Sequence, residues 1–196
     1  MKIIGITGGI GSGKTQVMEY MHDRYGATIC HADDVAKKLQ KKGQPCYEPI
    51  VSFFGNEILD NKNEIDRKKL ANIVFADKEK LRVLNSIVHP EVKSEIQRRI
   101  KSEQKKHTNL FLIEAALLIE DGYKNICNEL WFIYTKKCIR LNRLRYSRGI
   151  ESEKVEAIMD TQLSKEEYLK NCDRVIDNSG AFAETCEQLD AILKKI

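Results

Sequence analysis

The chain has 196 residues, 42% hydrophobic and 32% charged, with a formal net charge of +4. That length suits one globular domain, or a core with an inserted subdomain, at roughly 100–200 residues per domain. The charge is too mild to imply nucleic acid by itself, and no apolar stretch approaches the roughly 20 residues of a membrane span. The first predicted strand begins at residue 2, which leaves no room for a signal or transit peptide, so the cytosol is the expected location. Six cysteines, at positions 30, 46, 127, 138, 172 and 186, include no C-x-x-C pair. They read as reduced thiols without metal-ligand spacing.

Ile3–Thr7 is a short apolar run, predicted as a strand buried on both faces. Gly8-Gly9-Ile10-Gly11-Ser12-Gly13-Lys14-Thr15 follows directly, with the spacing G-x-x-x-x-G-K-[ST]. A bound triphosphate needs backbone N–H donors drawn close around it, and side chains on the loop would hold the backbone away. Gly8, Gly9, Gly11, Ser12, Gly13, Lys14, Thr15 and Gln16 are therefore the expected nucleotide-binding residues. Lys14 supplies a point charge at the β- and γ-phosphates, and the Thr15 hydroxyl is offered to Mg²⁺. A helix predicted over about 14–24, with Val17, Met18 and Met21 as apolar positions, aims its N-terminal dipole at the anion. A glycine turn with no ligand is the alternative, and the strand–loop–helix context argues against it.

A second strand, Ala27–Cys30, runs into His31-Ala32-Asp33-Asp34, with a helix predicted over about 33–42. In open α/β sheets ligands lie outside the carboxyl ends of the strands, which makes Asp33 the candidate general base for a substrate hydroxyl. The alternative is that Asp33 or Asp34 caps the helix. Residues 44–108 break the β/α alternation. They are predicted helical, with apolar stripes at Ile65, Leu70, Ile73, Val74, Leu81, Leu84, Ile87 and Val88. A helix break is expected at His89-Pro90 and a solvated helix end at Gln97–Lys106. Small P-loop kinases carry their acceptor-binding domain in such insertions, an analogy of fold alone.

The third predicted strand, Leu110–Glu114, ends in an acid as a Walker-B strand does, so Glu114 is a candidate for the metal shell, with capping or a salt bridge as the alternative. A short helix is expected over about 116–121, and a fourth strand over Leu130–Tyr134. Lys136, Lys137, Arg140, Arg143, Arg145 and Arg148 then follow with no acid among them, on a helix predicted over about 136–147. Charge developing on a transferring phosphoryl group calls for such cations, and the segment is expected to act as a lid, with Arg143 and Arg148 ahead of Arg140. Without a stacking platform of aromatic residues, nucleic-acid binding is not expected. A helix over about 152–163, a fifth strand at Arg174–Ile176 and a helix over about 182–195 complete the chain. The expected fold is an α/β P-loop NTPase, a three-layer α/β/α core with a five-stranded parallel sheet. The core would span about 1–43 and 109–196, with a helical insertion at about 44–108 and a lid at about 136–150.

Taken together, these residues resemble the dephospho-CoA kinase family over nearly the whole chain. The resemblance starts with Ile4 through Thr15 and continues through Ala32-Asp33, Ile65-Asp66-Arg67-Lys68-Lys69-Leu70, Val74-Phe75 and Ile87-Val88-His89-Pro90-Glu91-Val92. Leu117-Leu118-Ile119-Glu120, Gln162 and Cys172 through Gly180 complete it. The resemblance implies ATP and dephospho-CoA as substrates, Mg²⁺ as cofactor, and transfer to the ribose 3′-hydroxyl with Asp33 as base. It also implies that Arg67, His89, Pro90, Leu118 and Glu120 lie around the acceptor, and that Asn178 lies near the adenine. A monomer with no membrane or nucleic-acid partner is expected. The chain departs from the family pattern at His31, where an aspartate is frequent, at Ala115-Ala116, where proline is common, and at Ser147, where a lid arginine is usual. Two rivals remain at this stage. One is a P-loop kinase for another small acceptor such as a nucleotide. The other is a nucleotide switch, on the weak likeness of Asn61-Lys62-Asn63-Glu64 to a guanine-reading motif.

Overall fold

The computed structural model describes residues 1–115, 117–148 and 159–194, apart from the side chains of Ser147 and Arg148. Five strands, β1 (Lys2–Thr7), β2 (Thr28–His31), β3 (Leu110–Glu114), β4 (Glu129–Tyr134) and β5 (Arg174–Asp177), form one sheet in the order β2-β3-β1-β4-β5. The β1–β3, β1–β4 and β4–β5 pairs are parallel. Register places Ile6 opposite Glu114 and Thr7 opposite Phe132, so the acid ending β3 stands level with the start of the glycine loop. The predicted strands agree with these to within a residue at either end; β1, β3 and β4 are short apolar runs buried on both faces, whereas the edge strands β2 and β5 are more open.

The chain forms two compact units, one of residues 1–29 together with 104 onward, the other Cys30–Glu103. The second begins earlier than the insertion expected at 44–108 because it includes α2 (Ala32–Leu39). In the first unit, Ile4, Ile6, Leu110, Leu112, Trp131, Ile133 and Ile176 pack with Val17, Met18 and Met21 of α1 (Lys14–Tyr25). Leu189 and Leu193 of the C-terminal helix join the same core. Tyr20 and Tyr25 of α1 both donate to Asp190, at 2.7 and 2.6 Å, and tie that helix to α1.

The second unit holds α2, α3 (Tyr47–Phe54), α4 (Arg67–Ala76) and most of α5 (Lys78–Lys105). Pro90 does not break α5 as expected; it lies inside a helix of 28 residues. An interior proline costs about 3 kcal/mol, but Val88, Val92, Ile96 and Ile100 recur every fourth residue on one buried face, and their packing holds the helix together. Asn61-Lys62-Asn63-Glu64 forms a turn around Asp60, which accepts from the Lys62 and Glu64 amides at 2.8 and 2.9 Å. A guanine-reading segment follows a late strand, so this turn removes the support for a nucleotide switch.

Among the described residues, three further helices are α6 (Lys137–Arg148), α7 (Lys165–Asn171) and α8 (Phe182–Leu193). Residues 117–122 are turns rather than the predicted helix, since Leu118 is drawn fully into the core beside Gly5. The helix expected at 152–163 falls largely outside the described residues. The α7 helix was not anticipated, although Ser164 and Glu167 form a reciprocal capping box at its start. Among the described residues, no helix is long and apolar enough to cross a membrane.

One charge in this unit sets a pH dependence. Burial pushes the Glu129 carboxyl up, but hydrogen bonds from Arg174, Lys2 and the Trp131 indole outweigh it and hold the group at about 2. The three donors lie 2.9, 2.9 and 2.7 Å away. A folded-state value below the unfolded one stabilises above the ordinary carboxylate range, and the contribution is lost as pH falls through the folded value. Glu129→Gln should therefore destabilise by about 2–3 kcal/mol near neutrality. In chemical denaturation, its difference from the parent should fade as pH falls from about 4.5 to about 2.

Candidate active site

The loop between β1 and α1 lies tight against the ends of β4 and β5. Gly8 has φ of 146°, and a Cβ there would lie 2.5 Å from the Ile133 carbonyl. Gly13 has φ of 87°, where a Cβ would collide with the Asn178 amide. Both positions therefore require glycine. Gly13 is the N-cap of α1, which begins at Lys14. The first backbone N–H groups of a helix have no intrahelical partner, and the half-exposed loop and exposed Thr15 and Gln16 open that end to an anion.

Lys14 Nζ donates to the Gly8 carbonyl at 2.8 Å and lies 3.9 Å from Glu114 Oε1. An ammonium, a carboxylate and a helix start thus meet at the mouth of the loop. A cavity of about 540 Å³ opens beside them, lined by Gly11, Gly13, Lys14, Thr15, Gln16, Arg143, Leu144 and Tyr146. Sequence reading passed over Tyr146, which is 87% exposed and shares that wall with Arg143.

The candidate arginines are placed differently from one another. Arg143 donates to the Asn178 carbonyl at 2.9 Å and lines the cavity. Arg140 is half-buried; its Nε donates to the Ile10 carbonyl and its terminal nitrogen to Gln162 Oε1, each at 2.8 Å. Gln162 Oε1 also accepts from the Ile10 amide at 3.0 Å, so Arg140 and Gln162 brace the loop from behind. Burial pushes the Arg140 guanidinium below the ordinary arginine value. The Arg148 side chain lies outside the described residues.

Two further expected residues are turned inward. Leu118 is fully buried against the sheet, and Asn178 is fully buried with its amide engaged by Ser12 and Thr185. The family resemblance places Leu118 around the acceptor and Asn178 near the adenine, and motif position does not say which way their side chains face. Glu120 is exposed in the turn after β3.

In the second unit, His31 ends β2 and is the N-cap of α2, with no side-chain cap hydrogen bond. Asp33 and Asp34 both fall in the first turn, so neither is the cap. Both are exposed, and Asp34 is paired with Lys37 at 2.7 Å. Arg67 opens α4 after the Asp66 cap and donates to the Lys37 carbonyl at 3.3 Å. It lines an open groove with Lys41, Asp60, Glu64, Asp66 and Lys68. His89 is half-buried on α5 and Pro90 is exposed beside it.

The sequence profile of the dephospho-CoA kinase family matches residues 2–184. The chain is similar to the dephospho-CoA kinase of Aquifex aeolicus, at 41% identity over 197 aligned positions covering 100% of this chain and 98% of that one. It is similar also to that of Carboxydothermus hydrogenoformans, at 38% over 195 residues covering 100% and 94%. Among solved structures, the dephospho-CoA kinase from Campylobacter jejuni superposes with a TM-score of 0.73 at 29% identity, covering 100% of this chain and 97% of that one.

Proposed function

We propose a division of labour among these residues, and it proceeds from one fact: the chain belongs to the dephospho-CoA kinase family. It uses ATP to phosphorylate dephospho-CoA in coenzyme A biosynthesis. The acceptor group is the ribose 3′-hydroxyl. The glycine loop and the start of α1 hold the phosphates through backbone N–H groups. Lys14 leaves the Gly8 carbonyl for the β- and γ-phosphate oxygens. Arg143, on the wall of the same cavity, balances charge on the transferring group. Asp33 accepts the hydroxyl proton as the ribose oxygen bonds the γ-phosphorus and the bond from that phosphorus to the β–γ bridging oxygen breaks, which releases ADP; the engagement of Asp34 by Lys37 supports the choice of Asp33. The planar guanidinium of Arg67, at the start of α4, suits the anionic part of the acceptor.

Mg²⁺ favours oxygen ligands and draws few of them from protein when substrate phosphates are present. The Thr15 hydroxyl at the helix start and the Glu114 carboxylate, 3.9 Å from Lys14, fit that need. Bound there, the ion would neutralise negative charge developing on the phosphates. We place its work in the cytosol, where thiols such as its six cysteines stay reduced.

The observation that carries this reading is Lys14 held between the Gly8 carbonyl and Glu114 at the loop mouth. The test supplies purified protein with ATP, Mg²⁺ and either dephospho-CoA, AMP or adenosine, and follows ADP and coenzyme A. Coenzyme A formed in step with ADP is expected. Preference for AMP, or ADP released without coenzyme A, would overturn the acceptor assignment.

Tyr146 adds a prediction. The adenine base is expected to pack on its exposed ring, and base–aromatic stacking is lost on truncation at about 1–3 kcal/mol. Tyr146→Ala should raise KM for ATP about tenfold with kcat little changed, and Tyr146→Phe should behave as the parent.

A further inference from the structure

We infer that Asn178 is a positioning residue for ATP, which fixes the Ser12–Gly13 peptide in the orientation the phosphates require without touching the nucleotide itself. The inference rests on the reading that ATP binds the glycine loop.

The Ser12 carbonyl accepts from Asn178 Nδ2 at 2.8 Å and lies 3.0 Å from the Thr135 hydroxyl. A carbonyl can only accept, so the amide nitrogen of Asn178 must face it. The other end of the amide is held as well: Asn178 Oδ1 accepts from the Thr185 hydroxyl at 2.9 Å. The Asn178 backbone is fixed at both poles, its N–H donating to the Tyr134 carbonyl at 2.8 Å and its carbonyl accepting from Arg143 at 2.9 Å. Asn178 is 0% exposed and Thr185 1%, so water does not compete for these bonds.

The consequence follows from peptide geometry. Ser12 C=O and Gly13 N–H belong to one trans peptide unit and point in opposite directions. Drawing the carbonyl toward Asn178 turns the Gly13 N–H away from it, toward the open side of the loop. Glycine backbones flip readily, and Gly11 and Gly13 both have positive φ. A flip of the Ser12–Gly13 peptide would aim an oxygen at the phosphates, and in this chain it would first have to break the buried bond to Asn178. The same residue carries Arg143 on its own carbonyl, so loop and arginine are set from a single point in β5–α8.

The test reads nucleotide binding alone, by titration of the full chain with ATP in the absence of acceptor, so failure of the acceptor assignment would leave it intact. Asn178→Asp keeps the shape but replaces the donor with a carboxylate oxygen facing a carbonyl. It should weaken ATP binding about tenfold or more. Thr185→Val removes the anchor one step further from the nucleotide and should weaken ATP severalfold, while Thr185→Ser restores the hydroxyl and the affinity. In turnover assays, KM for dephospho-CoA should stay within about twofold for all three, a split that general loosening would not produce. ATP affinity within twofold of the parent in a folded Asn178→Asp or Thr185→Val chain would overturn the inference. Loss of fold in both would overturn it too, because the residues would then be supports of the sheet rather than of the loop.

Discussion

An Asp33→Asn chain is expected to bind ATP as the parent does and to turn over about 10²–10⁴-fold more slowly, the range a positioned general base supplies. The expectation comes from what the start of α2 leaves available. His31, with φ −85° and ψ 115°, makes the turn from β2 into the helix, so neither following aspartate is needed as a cap. Asp34 is occupied by Lys37, three residues on along the same helix. Asp33 is exposed in the first turn, past the carboxyl end of β2, where ligands of open α/β sheets are met. An exposed isosteric change there should alter stability by no more than about 0.5 kcal/mol, so lost turnover could not be assigned to lost fold. Asp34→Asn is the control: it breaks an exposed ion pair worth little and should leave kcat near the parent value. Calorimetric titration with ATP and steady-state kinetics on both chains make the comparison. Near-normal turnover in Asp33→Asn would remove the residue from the chemistry.

The parts of this site that sequence made legible are those whose chemistry is local. The loop carries its own spacing, and the strands around it are short apolar runs with one possible environment, buried on both faces. Asp33 and Glu114 stand where the sequence placed them, just past the end of β2 and at the end of β3. What escaped depends on distant partners. Asn178 is polar and sits in a recognisable segment, which suggested a ligand contact; that its amide meets Ser12, 166 residues away, is decided by the sheet order that sets β5 beside β4. Arg140 looked like a lid arginine because its neighbours are basic, yet its guanidinium binds Ile10 and Gln162 behind the loop. Thr135 gave no signal, although a hydroxyl one residue beyond a central strand is well placed to hold loop backbone. Pro90 and α7 are errors of a different kind. The first gave too much weight to one residue against four buried positions on α5, and the second overlooked the capping box written in Ser164-Lys165-Glu166-Glu167.

Lys14→Met should abolish most activity with little change in fold. Its Nζ contacts the Gly8 carbonyl at 2.8 Å and Glu114 at 3.9 Å, and its side chain is only 17% exposed. In the absence of nucleotide, these groups keep the ammonium at the loop mouth, so little reorganisation is needed when phosphate arrives. Methionine matches the stem in length and keeps its packing, but it leaves a carboxylate facing a polyanion with no cation between them. At about 4 Å, one unit-charge interaction is worth about 1 kcal/mol in water and about 4 kcal/mol in a partly enclosed site. Removing a preorganised charge of this kind lowers the rate by about 10²–10³-fold. The loss should appear in kcat as well as in KM for ATP, since charge on the γ-phosphoryl oxygens is redistributed in the transition state. Lys14→Arg should not restore the rate: a planar fork cannot follow the compact path that a single ammonium takes from the Gly8 carbonyl to the phosphates. A Lys14→Met chain with kcat near the parent value and only KM raised would show that the lysine binds ATP without assisting transfer, and charge balance on the transferring group would rest on Arg143 without it.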